Sequence, residues 1–353
     1  MSAVILISGG AGYIGSHAAY GLKQAGYEPV ILDNLSTGNE WAARHGILER
    51  GDVGDGALVR GLCEKYQPAA AMHFAAFIEV GESVQNPDKY FDNNRDKAMR
   101  FFRTLNECGV NKVVFSSTAA VYGDSGGNAP IEELNPTHPI NPYGQSKLEA
   151  EAFLRMLDAA SMRSVVLRYF NVAGAGPADS LLGEAHFPET HLIPRLILPL
   201  IDAPLMLLQG LGLQKGFTIY GNDYPTPDGT AIRDYIHVMD LVDAHIRALD
   251  YLLKGGATDI FNLGSNKGFS VQEIVDAVRT SLNKSYYKPG IAPRREGDPA
   301  FLVASNAKAG KVLGWSPARP LGAIIGDAVT WHRSPRYIEA MRAKIGKTSG
   351  IWL

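Results

Sequence analysis

Ala3-Val4-Ile5-Leu6-Ile7-Ser8-Gly9-Gly10-Ala11-Gly12-Tyr13-Ile14-Gly15 is the stretch that decides the fold. Residues 3–8 form a continuous apolar run, as in a strand buried on both faces. Gly10, Gly12 and Gly15 then fit a G-x-G-x-x-G spacing, with Gly9 as a further glycine, and a helix is predicted to about Gly26. Strand, tight turn and helix in that order make the context in which the motif carries a mechanism. Glycine lets the backbone approach a pyrophosphate, and the helix N-terminus offers free N–H groups and a positive dipole end. The next strand, Pro29-Val30-Ile31-Leu32, ends in Asp33. An acid at that point accepts from a ribose diol and repels a 2′-phosphate, which favours NAD over NADP.

Working outward, the alternation of strand and helix continues. Ile47-Leu48 leads to Gly51-Asp52-Val53, a helix is predicted over 55–66 and a strand over 69–74. A long helix fills about 87–108, and Lys112-Val113-Val114-Phe115 runs into Ser116-Ser117-Thr118. Repeated βα units imply an α/β protein with a Rossmann-type, doubly wound parallel sheet and helices on both faces. Ligands of such sheets sit beyond the C-terminal strand ends, where Asp33, Asp52, Phe74–Ala76 and Ser116–Thr118 fall. After Asn171-Val172-Ala173-Gly174 the composition turns to proline, glycine and loops. The expected division is therefore a dinucleotide-binding domain at 1–173 and a smaller, less regular substrate domain at 174–353, some segments returning to the first. In that second part Val238–Leu253 reads as an amphipathic helix, Phe261-Asn262-Leu263 as a short strand, and Ser270-Val271-Gln272-Glu273 as a capping box.

Asn141-Pro142-Tyr143-Gly144-Gln145-Ser146-Lys147 opens a helix that places Tyr143 and Lys147 one turn apart on one face. An ammonium beside a phenol favours the phenolate. A phenol of pKa about 10 has only roughly a thousandth in that form at pH 7, and one nearby cation lowers a pKa by about 1–3 units. Taken alone, the pair fits an amphipathic surface as well as a catalytic base.

Composition bounds the rest. The chain has 353 residues and a net charge near −2, so no general basic field for nucleic acid exists. Two cysteines, Cys63 and Cys108, give neither a disulfide framework nor a Cys-His metal spacing; no metal is expected, and a reducing cytoplasm fits. The first residues have no basic n-region and read as a strand rather than a signal peptide. The greasy run Leu192–Leu213 is interrupted by Pro194, Arg195, Pro199, Asp202 and Pro204, which a bilayer span tolerates poorly. It is expected to be buried helix plus loop, with no membrane association. Arg233, Arg294 and Arg295 have guanidinium forks suited to a diphosphate.

The glycine turn, the Ser/Thr run and Tyr-x-x-x-Lys together resemble the extended short-chain dehydrogenase/reductase superfamily. Further segments narrow the likeness: His73-Phe74-Ala75-Ala76, Val80-Gly81-Glu82-Ser83-Val84, Tyr122-Gly123-Asp124, Arg168-Tyr169-Phe170-Asn171, Gly221–Thr226, Gly229–Val238 and Pro293–Asp298 are similar to the UDP-glucose 4-epimerase family. That resemblance implies an isomerase with tightly bound NAD that inverts C4 of a UDP-hexose through a transient 4-keto sugar. It implies Tyr143 as base and acid in turn, Lys147 lowering its pKa and holding the nicotinamide ribose, and Thr118 on the sugar O4. The cofactor contacts it implies are Gly9, Gly12, Tyr13, Ile14, Gly15, Asp33, Asn34, Asp52, Val53, Phe74, Ala75, Ala76, Asn93, Ser116 and Tyr169, besides Tyr143 and Lys147. The substrate contacts are Asn171, His191, Leu192, Tyr220, Arg233, Arg295 and Asp298, besides Thr118. A homodimer built from the 87–108 helix and the Tyr143 helix is implied in the same way.

Several positions depart from the family pattern. Ala119-Ala120 stand where sugar-nucleotide 4,6-dehydratases carry Asp-Glu, so nothing there can eliminate water. Thr118 replaces a common Ser, Ile78 a common Lys, and His191 a common Asn. Leu302 occupies the position that gates the sugar pocket and is smaller than the bulky aromatic that excludes N-acetyl sugars. Leu205–Gln214 reads as an apolar insertion, either packing or contact surface. Three alternatives stay open: a 4-epimerase of UDP-xylose and UDP-arabinose, a 4-epimerase of UDP-N-acetylglucosamine, and a non-catalytic NAD-sensing module.

Overall fold

The computed structural model describes residues 2–349 other than 125, 126, 128, 159–161, 202, 214, 215, 296 and 297. Asp202 and Gln214 of the apolar stretch, and Glu296 and Gly297 between Arg295 and Asp298, therefore lie outside the described residues.

Seven strands form the central sheet. They are β1 (Val4–Ser8), β2 (Glu28–Asp33), β3 (Ile47–Arg50), β4 (Ala70–His73), β5 (Lys112–Thr118), β6 (Arg163–Tyr169) and, from far along the chain, the strand Asp259–Leu263. The order is Asp259–Leu263, β6, β5, β4, β1, β2, β3, and every pairing is parallel. The order reverses between β1 and β4, which opens a crevice at their carboxyl ends. Both faces are covered. On one, Ala19 and Leu22 of the helix Tyr13–Gln24 and Leu241, Ala248 and Leu252 of the helix Val238–Leu253 pack on Ile5, Ile7 and Val165. On the other, Phe101, Phe102 and Leu105 and the Tyr143 helix's Ala150 and Leu154 pack on Leu6, Val113 and Phe115. That two-sided burial explains why these strands read as unbroken apolar runs.

The smaller lobe is built on β7 (Asn171–Ala173), β8 (Thr218–Tyr220), β9 (Ile232–His237), β11 (Gly268–Ser270), β12 (Gly290–Ala292) and β13 (Phe301–Leu302), the central-sheet strand Asp259–Leu263 being β10. β9 is flanked by β11 and β13 and also pairs with β7, while β8 pairs with β12. The Ser270 capping box is present: its hydroxyl accepts from Glu273 N, and Glu273 accepts from Ser270 N. The expected return of second-half segments to the first sheet is β10, whose Asp259 and Leu263 register with Val165 and Tyr169.

Two elements differ from expectation. The helix predicted over about 87–108 has a π-helical stretch, Phe91–Lys97, between Pro87–Tyr90 and Ala98–Glu107. The wider turn brings buried Asn94 onto Phe77, accepting from its N and donating to its O, both at 2.9 Å. The apolar insertion is a short helix, Leu205–Gly210, and a turn. Leu207, Leu211 and Leu213 are buried with Met341 and Ile345 of the helix Pro335–Ser349, so its described side chains serve packing. Among the described residues no helix is long and apolar enough to cross a membrane.

Candidate active site

The glycine turn lies at the β1–β4 switch. Gly9 has φ +74°, and a Cβ there would meet Ala75 N at 2.5 Å, so the turn and the Phe74–Ala75 backbone are in contact. A Cβ on Gly15 would lie 2.3 Å from Gly9 O. Gly12 caps the helix Tyr13–Gln24 without a side-chain hydrogen bond, leaving first-turn N–H groups without a side-chain acceptor. This cradle fits a dinucleotide's pyrophosphate. Asp33 closes it: its carboxylate accepts from Ala11 N at 2.9 Å and Leu35 N at 2.8 Å, with lone pairs to spare for a ribose, and burial raises its pKa. Around it, Asn34 donates to Asp52 (3.2 Å), and Asp52 also accepts from Lys97 (2.9 Å). Val53 is buried in the core. Asn93 donates to Asn94 at 3.0 Å, beside the Phe77 backbone. Tyr13 donates to Gly174 O at 2.8 Å, tying the turn to the smaller lobe. Ile14 packs partly buried against the sheet.

The helix Pro142–Asp158 presents Tyr143, Lys147 and Glu151 at i, i+4 and i+8, on one face. The sequence reading missed Glu151, although that spacing could have found it. Glu151, buried, pairs with buried Arg168 of β6: Arg168 Nε lies 3.0 Å from Glu151 Oε1, and Nη1 donates to Tyr122 OH at 2.9 Å. Tyr122 in turn donates to Asn262 of β10 at 2.7 Å. Ser117 donates to Glu151, and Ser116 is hydrogen-bonded to Tyr169. At the strand end, Ser116 and Ser117 are thus each held by a hydrogen bond to a neighbouring element.

In the chain without cofactor, desolvation opposes the tuning that the sequence suggests for Tyr143. Burial pushes its phenol above the ordinary value, opposed by a hydrogen bond with Thr118 that favours the phenolate. Lys147 is buried, its ammonium 4.5 Å from the centre of the Phe115 ring. Burial brings it down to about 7 against the raising effect of Glu151. The reason for the difference is desolvation, which sequence spacing does not express: it acts against both charged forms at once.

The smaller lobe meets this centre directly. Leu302 registers with Arg233 across β13 and β9, and packs with Ala119, Val121, Tyr122 and Phe170, the residues around the turn that follows Thr118. Arg233 is ion-paired with Asp298. Arg295 lies over the Tyr220 ring at 4.2 Å, and Asn171 donates to Asp234 O at 3.1 Å. Arg294 is ion-paired with Asp223 and lies over the Tyr224 ring. Buried Asp234 accepts from Ser265 N (2.7 Å), Ser265 Oγ (2.6 Å) and Ala304 N (3.1 Å). His191 precedes Leu192 at the start of the helix Leu192–Ile197, and its Nδ1 faces Glu184 and Glu189.

The model of the NAD dependent epimerase/dehydratase family matches residues 5–264. The chain belongs to that family. It is 46% identical over 331 residues to the UDP-glucose 4-epimerase of Rhizobium meliloti (strain 1021), covering 93% of this chain and 96% of that one. Its fold superposes with a TM-score of 0.84 on the UDP-glucose 4-epimerase of Brucella ovis in complex with NAD, at 42% identity, covering 93% and 98% of the two chains. It is also similar to the UDP-glucose-4-epimerase of Stenotrophomonas maltophila with bound NAD and formylated UDP-arabinopyranose. There the TM-score is 0.84, the identity 34%, and the coverage 94% and 98%. As a member of the family the chain shares its parallel sheet and its glycine turn, and the crevice described above lies at the place the fold reserves for a dinucleotide.

Proposed function

We propose that this chain is an NAD-dependent isomerase that interconverts UDP-glucose and UDP-galactose through a transient 4-keto sugar. The observation that carries it is the meeting of the two lobes: Leu302 of β13, in register with Arg233 of β9, packs by the turn after Thr118, whose hydroxyl bonds Tyr143. The likeness to epimerases at 46% identity supports the reaction.

The division 1–173 for NAD and 174–353 for the UDP-sugar follows, with β10 serving the first. Gly9, Gly12, Tyr13, Ile14 and Gly15 would hold the pyrophosphate and Asp33 a ribose. Asn34, Asp52, Val53, Phe74, Ala75, Ala76, Asn93, Ser116 and Tyr169 would complete that side. When bound, NAD supplies a reversible hydride acceptor and a positive ring near the base. Tyr143 takes the proton of the sugar O4 and later returns it, with Thr118 holding O4. Lys147 contributes charge beside the phenol and a donor for a ribose hydroxyl. Arg233 and Arg295 would grip the diphosphate, with Asn171 reaching the phosphate side and His191, Leu192, Tyr220 and Asp298 towards the uridine. Ala119-Ala120 leave no acid–base pair for dehydration. The smaller Leu302 favours acceptance of N-acetylhexosamines beside the hexoses. A cytoplasmic homodimer acting in galactose metabolism is the expected setting.

The test is a product assay with UDP-galactose, UDP-N-acetylgalactosamine and UDP-arabinose, each with no NAD added. UDP-galactose is expected to be converted; conversion of the pentose alone, or of nothing, would overturn the proposal.

A further inference from the structure

Glu184, His186, Glu189 and His191 lie within one short segment, spaced E-x-H-x-x-E-x-H. One ligand atom from each comes within 4.8 Å of all the others. Glu184 Oε1 is 2.7 Å from His191 Nδ1 and 3.1 Å from His186 Nδ1, and Glu189 Oε1 is 3.0 Å from His191 Nδ1. Both carboxylates are buried, and both histidines are partly covered.

Hydrogen bonding leaves one atom of this set unaccounted for. His191 Nδ1 carries at most one proton, shared between the two carboxylates that face it. Glu189 Oε1 also accepts from His191 N at 2.9 Å. Glu189 Oε2, on a side chain with no exposed surface, has no hydrogen-bond partner among the described residues. Two buried carboxylates in one cluster are costly unless positive charge, a proton on a ring nitrogen or a metal ion, balances them.

We infer that Glu184, His186, Glu189 and His191 bind a divalent first-row cation of the Zn2+ type. Two ring nitrogens and two carboxylate oxygens form a borderline N2O2 donor set, and imidazole selects such ions over Mg2+ or Ca2+. Around Zn2+ at about 2.0–2.2 Å, tetrahedral ligand atoms sit roughly 3.3 Å from one another. The separations of 2.7, 3.0 and 3.1 Å would have to widen, and the wider ones, up to 4.8 Å, to close, for all four atoms to reach that spacing.

The site is structural: four protein ligands close it, and no step of the sugar chemistry passes through it. Its neighbours show what it would fasten. The His186 ring meets Tyr13 edge-on at 6.1 Å, and Glu184 O accepts from Trp331 Nε1 at 2.6 Å. Thr190 donates to Glu79 at 2.8 Å. The ion would tie the approach to Leu192 to the glycine turn.

The experiment uses the full-length protein with its retained cofactor, dialysed against EDTA and then against Zn2+ or Co2+. We expect uptake of one ion per chain by elemental analysis after gel filtration, a raised Tm, and the intense visible bands of tetrahedral Co2+. His186→Ala and Glu189→Gln, checked for folding by circular dichroism, should each weaken Zn2+ binding by roughly 100-fold or more. A stripped wild type that takes up no ion and keeps its Tm would overturn the assignment, whatever the variants do. So would uptake that both variants leave unchanged. Neither readout depends on turnover, so the epimerase proposal can fail without touching this one.

Discussion

Tyr143→Phe keeps the ring's packing against Tyr90, 6.4 Å away, and removes only the hydroxyl that Thr118 bonds. General acid–base help is worth about 10²–10⁴-fold. The variant should lose kcat by that order on UDP-galactose while retaining its cofactor, as measured by turnover and by nucleotide content after denaturation. Lys147 gives a second check with a definite sign. Its folded pKa of about 7 lies below the ordinary 10.5, so between those values the unfolded chain binds more protons and stability rises with pH. Below pH 7 both states are protonated and the full cost of burying the ammonium is present. Lys147→Met should therefore raise Tm most at pH 6, with the advantage shrinking from pH 7 towards 10.5, while activity falls. A Tm difference independent of pH would refute the shift. The residues were legible in the sequence; their pKa values were not, because desolvation depends on what closes over them.

At the scale of elements, the Tyr143 helix is held by its Glu151 end. Glu151 and Arg168 are both buried, and removing one partner of such a pair costs about 3–5 kcal/mol. Glu151→Ala should lower the unfolding free energy by that amount in urea titrations, and lower the pKa of Lys147 further by removing the carboxylate that raises it. The Rossmann units, the capping box and the Val238–Leu253 helix were readable because each writes its periodicity locally. The π-helical turn at Phe91–Lys97 was not. It exists because Asn94 reaches the Phe77 backbone, a contact with no local sequence signature.

Across the whole molecule, Asp234 joins β9 to the ends of β10 and β13 through Ser265 and Ala304. Its pKa is raised to about 6, chiefly by burial, so the structure tolerates this carboxylate for its bonds. Asp234→Ala strands those donors, at about 1–3 kcal/mol for a buried group left unpaired. Because Arg233 is its neighbour, KM for the UDP-sugar should rise more than kcat falls. Steady-state kinetics on UDP-galactose check this, and an unchanged KM would show that the β9 bridge does not position the substrate lobe.

The sequence by itself determined the parallel sheet, the dinucleotide turn, the acid at Asp33 and the Tyr143–Lys147 face, since each depends on residues adjacent in the chain or one helical turn apart. Only the tertiary structure decided that Leu302 meets the turn after Thr118 and that Glu151 anchors Arg168. Those are consequences of how separate segments close on one another in a low-dielectric interior. There, burial and a shared partner set the charge of each group, and the order of residues carries no direct record of it.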